Sequence, residues 1–151
     1  MYVGFHVNLS QNIALRFLDV RLYRIEHGYN QPQHTIWTKA MDELHSILST
    51  IRSRQLEHIQ FHAWVGYDAV RHDSESEQPS VVLKELDLRD LHGVMSRPNF
   101  DTLKHVGVKM YRLRYPYTFV DAAGLREMLE LMVRGILQPW SASGILNVTC
   151  Y

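Results

Sequence analysis

Three histidines are the residues of this sequence whose type and spacing come closest to a site of chemistry. His58 and His62 lie four apart in the segment LEHIQFHAW, and His105 lies in the segment LKHVGVKMY. Imidazole nitrogens bind zinc and act as general acids or bases near neutral pH. Whether any two of these histidines could share a metal ion depends on the secondary structure that positions them.

Alternation of apolar and polar residues predicts that each histidine segment is a β-strand with one buried face. Residues four apart on a strand lie about 13 Å apart, whereas a zinc–nitrogen bond is about 2 Å long. His58 and His62 therefore cannot bind the same ion. His58 and His105 occupy the same place in their segments, so they would be neighbours about 4.8 Å apart on adjacent strands. The sequence specifies no third ligand for that pair.

A third segment, LRFLDVRLY, has the same pattern as the two histidine segments. Each segment has leucine in first place, apolar residues in fourth, sixth and eighth place, and an aromatic residue in ninth place. The predicted inward residues are Leu18, Val20 and Leu22; Ile59, Phe61 and Ala63; Val106, Val108 and Met110. We predict strands near residues 15–23, 56–64 and 103–111, and a fourth, shorter strand in the tail SGILNVTCY.

Helical periodicity separates these strands. Apolar residues recur at helical spacing near residues 36–52, 82–95 and 121–134. Strands that alternate with helices are typical of a parallel sheet with crossover helices on one side. Because the strands also resemble one another, we predict an α/β fold, specifically a short leucine-rich-repeat-like solenoid. A chain of 151 residues is the size of one domain, which would span residues 1–151.

Two motifs follow the second strand in a fixed order. The pattern P-x-F-x-x-L-x-x-V-x-V is formed by Pro98, Phe100, Leu103, Val106 and Val108, and the closing helix LREMLELMVRGIL ends in R-G-I-L. Over residues 15–137 this order resembles the C-terminal part of the leucine-rich-repeat-like proteins of basidiomycete fungi, many of which carry an N-terminal F-box.

The resemblance implies a curved repeat domain that binds another protein, which a ubiquitin ligase then modifies in the case of F-box members. The F-box of that family is a helical N-terminal module, and here the first repeat strand is predicted to begin at Leu15. We therefore expect a substrate-recognition region without the F-box, and docking to the ligase adaptor is not expected of this chain.

Charge and cysteine content argue against several classes of partner. Sixteen basic and sixteen acidic residues give a formal net charge of zero, so no excess charge attracts nucleic acid or an anionic membrane surface. The single cysteine, Cys150, cannot form an internal disulfide, which fits a reducing compartment. We expect an intracellular protein, cytoplasmic or nuclear, that binds neither nucleic acid nor membranes. So short a repeat array has open ends, and self-association through them is a further expectation.

No motif specifies a reaction. The sequence contains no glycine-rich phosphate loop, no G-x-S-x-G elbow and no H-E-x-x-H zinc motif. We therefore expect a protein that is not an enzyme, with no catalytic residues, no metal and no cofactor. Two alternatives stay open: a small metal-dependent enzyme that uses the histidines, and a structural remnant without a partner of its own.

The outward places of the three strands predict a partner-binding face. In a parallel sheet these places form rows across the strands, one rich in basic residues and one wholly aromatic. Aromatic rings beside cations are frequent in protein-binding hot spots. The alternative is that the ninth-place rings turn over the rim of the sheet and pack under the following loops. The candidate residues are Asp19, Arg21, Tyr23, Gln60, His62, Trp64, Lys109 and Tyr111.

Overall fold

The described residues of the chain fold into an α/β structure with one parallel sheet of four strands. The computed structural model describes residues 8–22, 25, 33–66, 78–113 and 122–151. The strands are β1 (Phe17–Arg21), β2 (His58–Val65), β3 (His105–Arg112) and β4 (Leu146–Cys150). The helices are α1 (Gln33–Ser49), α2 (Pro79–Glu85), α3 (Arg89–Met95), α4 (Ala122–Ile136) and α5 (Gln138–Ala142), and a 3₁₀ turn spans Pro98–Phe100.

The order of the strands in the sheet is their order in the chain, β1-β2-β3-β4. Leu18 pairs with Ile59, Ile59 with Val106, and Val106 with Leu146, so residues in the fourth place of each segment align across the sheet. The predicted alignment of the segments is confirmed, and so is the fourth strand in the tail.

The strands begin two residues later than the pattern predicts, because the first-place leucines belong to the approaching loops. Leu56 and Leu103 nevertheless lie in the core. β2 and β3 each end one residue beyond the prediction. β1 ends at Arg21, and residue 23 lies outside the described part of the chain.

One face of the sheet forms the core together with the helices, as the alternation predicts. Burial alternates strictly along β2, and the inward side chains of all four strands join the helices in a single apolar cluster. The buried strand residues are Leu18 and Val20; Ile59, Phe61, Ala63 and Val65; Val106, Val108 and Met110; and Leu146. The alternate residues on the other face are half-buried or exposed.

The first and last predicted helices are present with shifted ends. α1 begins and ends three residues earlier than predicted, and α4 extends two residues further, to Ile136. Residue 121, the predicted start of the latter, lies outside the described residues. Gly135 lies within α4, where a Cβ atom would collide with the side chain of Leu83 in α2, so glycine allows the two helices to approach closely. No helix in the described ranges is both long and apolar enough to cross a membrane.

The prediction of one helix near residues 82–95 is wrong, because the chain forms α2 and α3 there. Leu86 interrupts the helix with an extended backbone, φ −81° and ψ 134°. The Asp87 carboxylate then accepts the backbone N–H of Arg89 at 3.3 Å, at the start of α3. The apolar periodicity runs through this break because Leu86 and Leu91 both enter the core. The sequence did not predict α5.

Polar side chains in the loops before the strands tie each repeat segment to the next. Ser53 is fully buried, donates a hydrogen bond to the Leu15 carbonyl at 2.7 Å and accepts the N–H of Gln55 at 3.1 Å. Thr102 donates in the same way to the Leu56 carbonyl at 2.8 Å. These bonds satisfy loop groups that would otherwise be buried without partners, and they hold the strands in register.

Candidate partner-binding face

The open face is the side of the sheet opposite the core, which carries His62 of β2 and Lys109 of β3. Seven of the eight candidate residues are placed there by the strand register. They are Asp19 and Arg21 of β1; Gln60, His62 and Trp64 of β2; and Lys109 and Tyr111 of β3. Tyr23, the eighth, lies outside the described residues.

The predicted basic row crosses all four strands. Arg21 pairs with His62, His62 with Lys109, and Lys109 with Thr149 of β4. Arg21 is exposed and Lys109 is half-buried. Among the described residues neither cation has a carboxylate within ion-pair distance. The row therefore presents two positive charges that no carboxylate in the described ranges neutralises.

His62 links the basic row to a carboxylate and a phenol. Its Nε2 lies 3.2 Å from Asp19 Oδ1, and its Nδ1 lies 3.1 Å from the Tyr111 hydroxyl. Nδ1 and the Tyr111 hydroxyl share a hydrogen bond whose direction depends on the tautomer of the ring. His62 is only 18% exposed in its side chain, whereas Asp19 is 52% exposed. These contacts hold the imidazole between Tyr111 and one oxygen of the Asp19 carboxylate.

The aromatic row has a member that the sequence did not predict. Trp64 stacks on Tyr111 with ring centroids 5.1 Å apart, and Tyr111 stacks on Tyr151 at 5.2 Å. The Tyr151 N–H also donates to the Met110 carbonyl at 2.9 Å, which continues the pairing of β4 with β3. The signal was present, because Tyr151 is the ninth residue of SGILNVTCY and the other three segments have an aromatic ninth residue.

Between the pair His58–His105 and the basic row, the open face carries Gln60 of β2 and Gly107 of β3. Gly107 of β3 pairs with Gln60 of β2, and the Gln60 side chain occupies the space that a Cβ atom at residue 107 would take. The Gln60 amide also donates to the Phe61 carbonyl at 3.2 Å. Glycine at residue 107 therefore leaves room for the Gln60 side chain to lie across β3.

The His58–His105 pair is a ring stack. The two residues pair in register, as predicted, and their ring centroids lie 5.1 Å apart with an interplanar angle of 16°. Phe17 lies beside His58 at 6.2 Å. Across the described ranges, no group of three histidine, cysteine, aspartate or glutamate residues is arranged to hold a metal ion. The metal-dependent alternative therefore has no ligand set in this part of the chain.

Cys150 lies on the opposite side of β4 from the open face. Burial raises the pKa of its thiol, and the nearby Glu130 carboxylate raises that pKa further, against smaller opposing effects of Arg126 and Arg112. A raised pKa keeps the thiol protonated and a poor nucleophile at neutral pH.

A charged row borders the open face where the strands begin. Glu57 lies between two cations, 2.8 Å from the Arg16 guanidinium and 3.4 Å from the Lys104 ammonium. The hydrogen bond from Arg16 is the main cause that lowers the pKa of Glu57 below its usual 4.5, and desolvation opposes it. Both cations are largely exposed, so the contribution to stability is modest and is screened by salt.

Replacing Glu57 by glutamine should reduce the loss of folding stability that occurs as the pH falls. The pKa of Glu57 is lower in the folded state than in the unfolded chain, so the unfolded chain binds more protons once the pH falls below about 4.5. The folded state of the unsubstituted protein therefore loses stability as the pH falls further. Above that pH the contribution is fully present. Urea unfolding between pH 7 and about pH 3 should show a steeper loss for the native chain than for the variant. Equal slopes would contradict the assignment.

Comparisons with family models, with curated proteins and with solved structures give no match for this chain. The case for a function therefore rests on the chemistry of the open face. That face offers two cations without an ion-pair partner among the described residues, together with hydroxyl and indole groups and aromatic surface, which is the chemistry of molecular recognition.

Proposed function

We propose that the protein binds another protein through the open face, and that the partner's contact segment combines acidic with apolar side chains. The observation that carries the proposal is the aromatic row, which lies directly beside a row of cations without ion-pair partners in the described chain. Tyrosine, tryptophan and arginine are the residues most enriched in binding hot spots.

The sign of the partner's charge follows from the pairing on the face. Asp19 already has one carboxylate oxygen against His62, whereas Arg21 and Lys109 have no carboxylate within ion-pair distance among the described residues and can attract acidic groups. Complementary charge raises association rates and excludes wrong partners more than it raises affinity. The aromatic rings would supply most of the binding energy, and the cations would select the partner.

We also propose that the strands are units of a short leucine-rich-repeat-like solenoid, in which this face is the ligand-binding surface. Support comes from the equivalent strands, which pair in register with helices between them along the chain. The resemblance to the fungal F-box proteins supports the same function, because that region of those proteins binds another protein. It extends the proposal to substrate recognition for a ubiquitin ligase in chains that also carry an F-box.

A displayed library of random peptides tests the proposal without a known partner. Panning on the native protein should enrich peptides that contain aspartate or glutamate beside leucine, phenylalanine, tyrosine or tryptophan. The triple variant Arg21→Ala, Trp64→Ala, Lys109→Ala should bind the enriched peptides at least tenfold more weakly, since each hot-spot residue is worth about 2 kcal/mol. Affinity for the native protein should also fall as salt is added.

A matched control replaces Lys39, Arg52 and Leu131. It removes two cations and one large apolar side chain from exposed positions away from the open face. This control should bind the peptides like the native protein. Trp64 provides an internal probe, since Trp37 and Trp140 are buried, so bound peptide should shield Trp64 from acrylamide quenching. The proposal fails if enriched peptides lack acidic residues, or if the folded triple variant binds them as tightly as the control does.

A further inference from the structure

The outer edge of β4 carries backbone groups that no described strand pairs with. The Tyr151 N–H donates to Met110, and the Ile145 carbonyl accepts from Val106, so the odd-numbered residues of this segment face β3. Backbone groups alternate in direction along a strand. The N–H and C=O groups of Leu146, Val148 and Cys150 therefore point away from β3.

The two edges of the sheet differ in how well they are protected against pairing. β1 includes Asp19 and Arg21, and charged residues discourage an edge strand from pairing with another chain. β4, with the sequence LNVTC, has no charged residue and no proline. Val148 and Cys150 are only half-buried, although both pack against the core. The edge at β4 is thus the one suited to adding a further strand.

We propose that two copies of this chain pair through β4, antiparallel, with a two-fold axis at Val148. In that register Val148 lies opposite Val148 of the second copy, and Leu146 lies opposite Cys150. All three residues have outward backbone groups, so each opposed pair exchanges two hydrogen bonds, about six in all. The two sheets become one sheet of eight strands, and the half-buried side chains of both edges are covered.

Helix α4 packs against β4. Arg126, Glu130 and Arg134 follow one another along α4 at four-residue spacing, and the Glu130 carboxylate pairs with Arg134 of the same helix at 2.9 Å. The two-fold axis sets the two α4 helices antiparallel. The pairing is closed, which limits the assembly to a dimer.

Sedimentation of the full chain over a wide concentration range tests the dimer. The native chain should show a monomer–dimer equilibrium, and Val148→Pro should be monomeric at every concentration. Proline fits at Val148 because that N–H faces away from β3, so the fold should survive. Asp19→Pro is the matched control at the centre of β1, and it should still form dimers. A native chain that stays monomeric, a folded Val148→Pro dimer, or dissociation by Asp19→Pro would each overturn the proposal.

A cross-link tests the register even if the proline variant fails to fold. Under oxidation Val148→Cys combined with Cys150→Ser should give a disulfide-linked dimer on a non-reducing gel, because the two new cysteines lie opposite each other at the axis. Asn147→Cys with Cys150→Ser should cross-link much less, since residue 147 lies opposite residue 149 and points to the open face. Head-to-tail pairing of β4 with β1 would instead produce longer oligomers and no cross-link at residue 148.

Discussion

Replacing Phe61 by alanine is expected to lower the free energy of unfolding by about 3 to 5 kcal/mol. Phe61 lies in β2 between two paired strands, and none of its side chain is exposed. It also lines an apolar cavity of about 30 Å³, together with Leu22, Val133 and other core residues. The missing ring would enlarge this cavity, and paired strands on both sides leave little freedom for the backbone to collapse into it.

Urea unfolding followed by circular dichroism measures this loss. Phe61→Leu is the matched control, because leucine keeps the site apolar and fills part of the space, and it should cost clearly less than alanine. If Phe61→Ala and Phe61→Leu were equally mild, the side chain would not be packed at the centre of the core.

Replacing Ala63 by aspartate is expected to leave the chain unfolded. Ala63 is 1% exposed on the core side of β2 and pairs with Met110 of β3. An unpaired carboxylate in apolar surroundings costs several kcal/mol even after it is protonated or the site relaxes. That cost is comparable to the whole stability of a typical domain, about 5 to 15 kcal/mol.

Gln60→Asp is the control for this prediction, since it places the same side chain on the open face of the same strand. Far-UV circular dichroism should show a cooperative unfolding transition for Gln60→Asp and none for Ala63→Asp. The reverse result would mean that β2 presents the opposite face to the core, because a shift of one residue exchanges the two faces of a strand.

The sheet could be predicted from the sequence because its signal repeats. Apolar residues in the fourth, sixth and eighth places of each segment define both the inward face and the register, so the pairs Ile59–Val106 and His58–His105 follow from the alignment alone. The placement of Arg21, His62 and Lys109 in one row has the same origin. Whether that row binds a partner stays a prediction.

Local backbone geometry was harder to predict than the sheet. The break at Leu86 separates α2 from α3 without disturbing the apolar spacing, so periodicity alone gave one helix. The contacts of His62 with Asp19 and Tyr111 depend on side-chain rotamers, which a sequence pattern does not specify. Tyr151 joins the aromatic row because α5 and a short turn bring the tail alongside β3.

The strands lie in the sheet in the same order as in the chain, and this order affects how the protein can fold during its synthesis. Among the described strands, each one after β1 pairs with the strand that precedes it in the chain, and none must be inserted between two others that have already paired. A chain that emerges from the ribosome with β1 first can therefore add β2, β3 and β4 in turn to a finished edge. Each newly docked strand becomes the template for the next, and the last edge to be completed is that of β4.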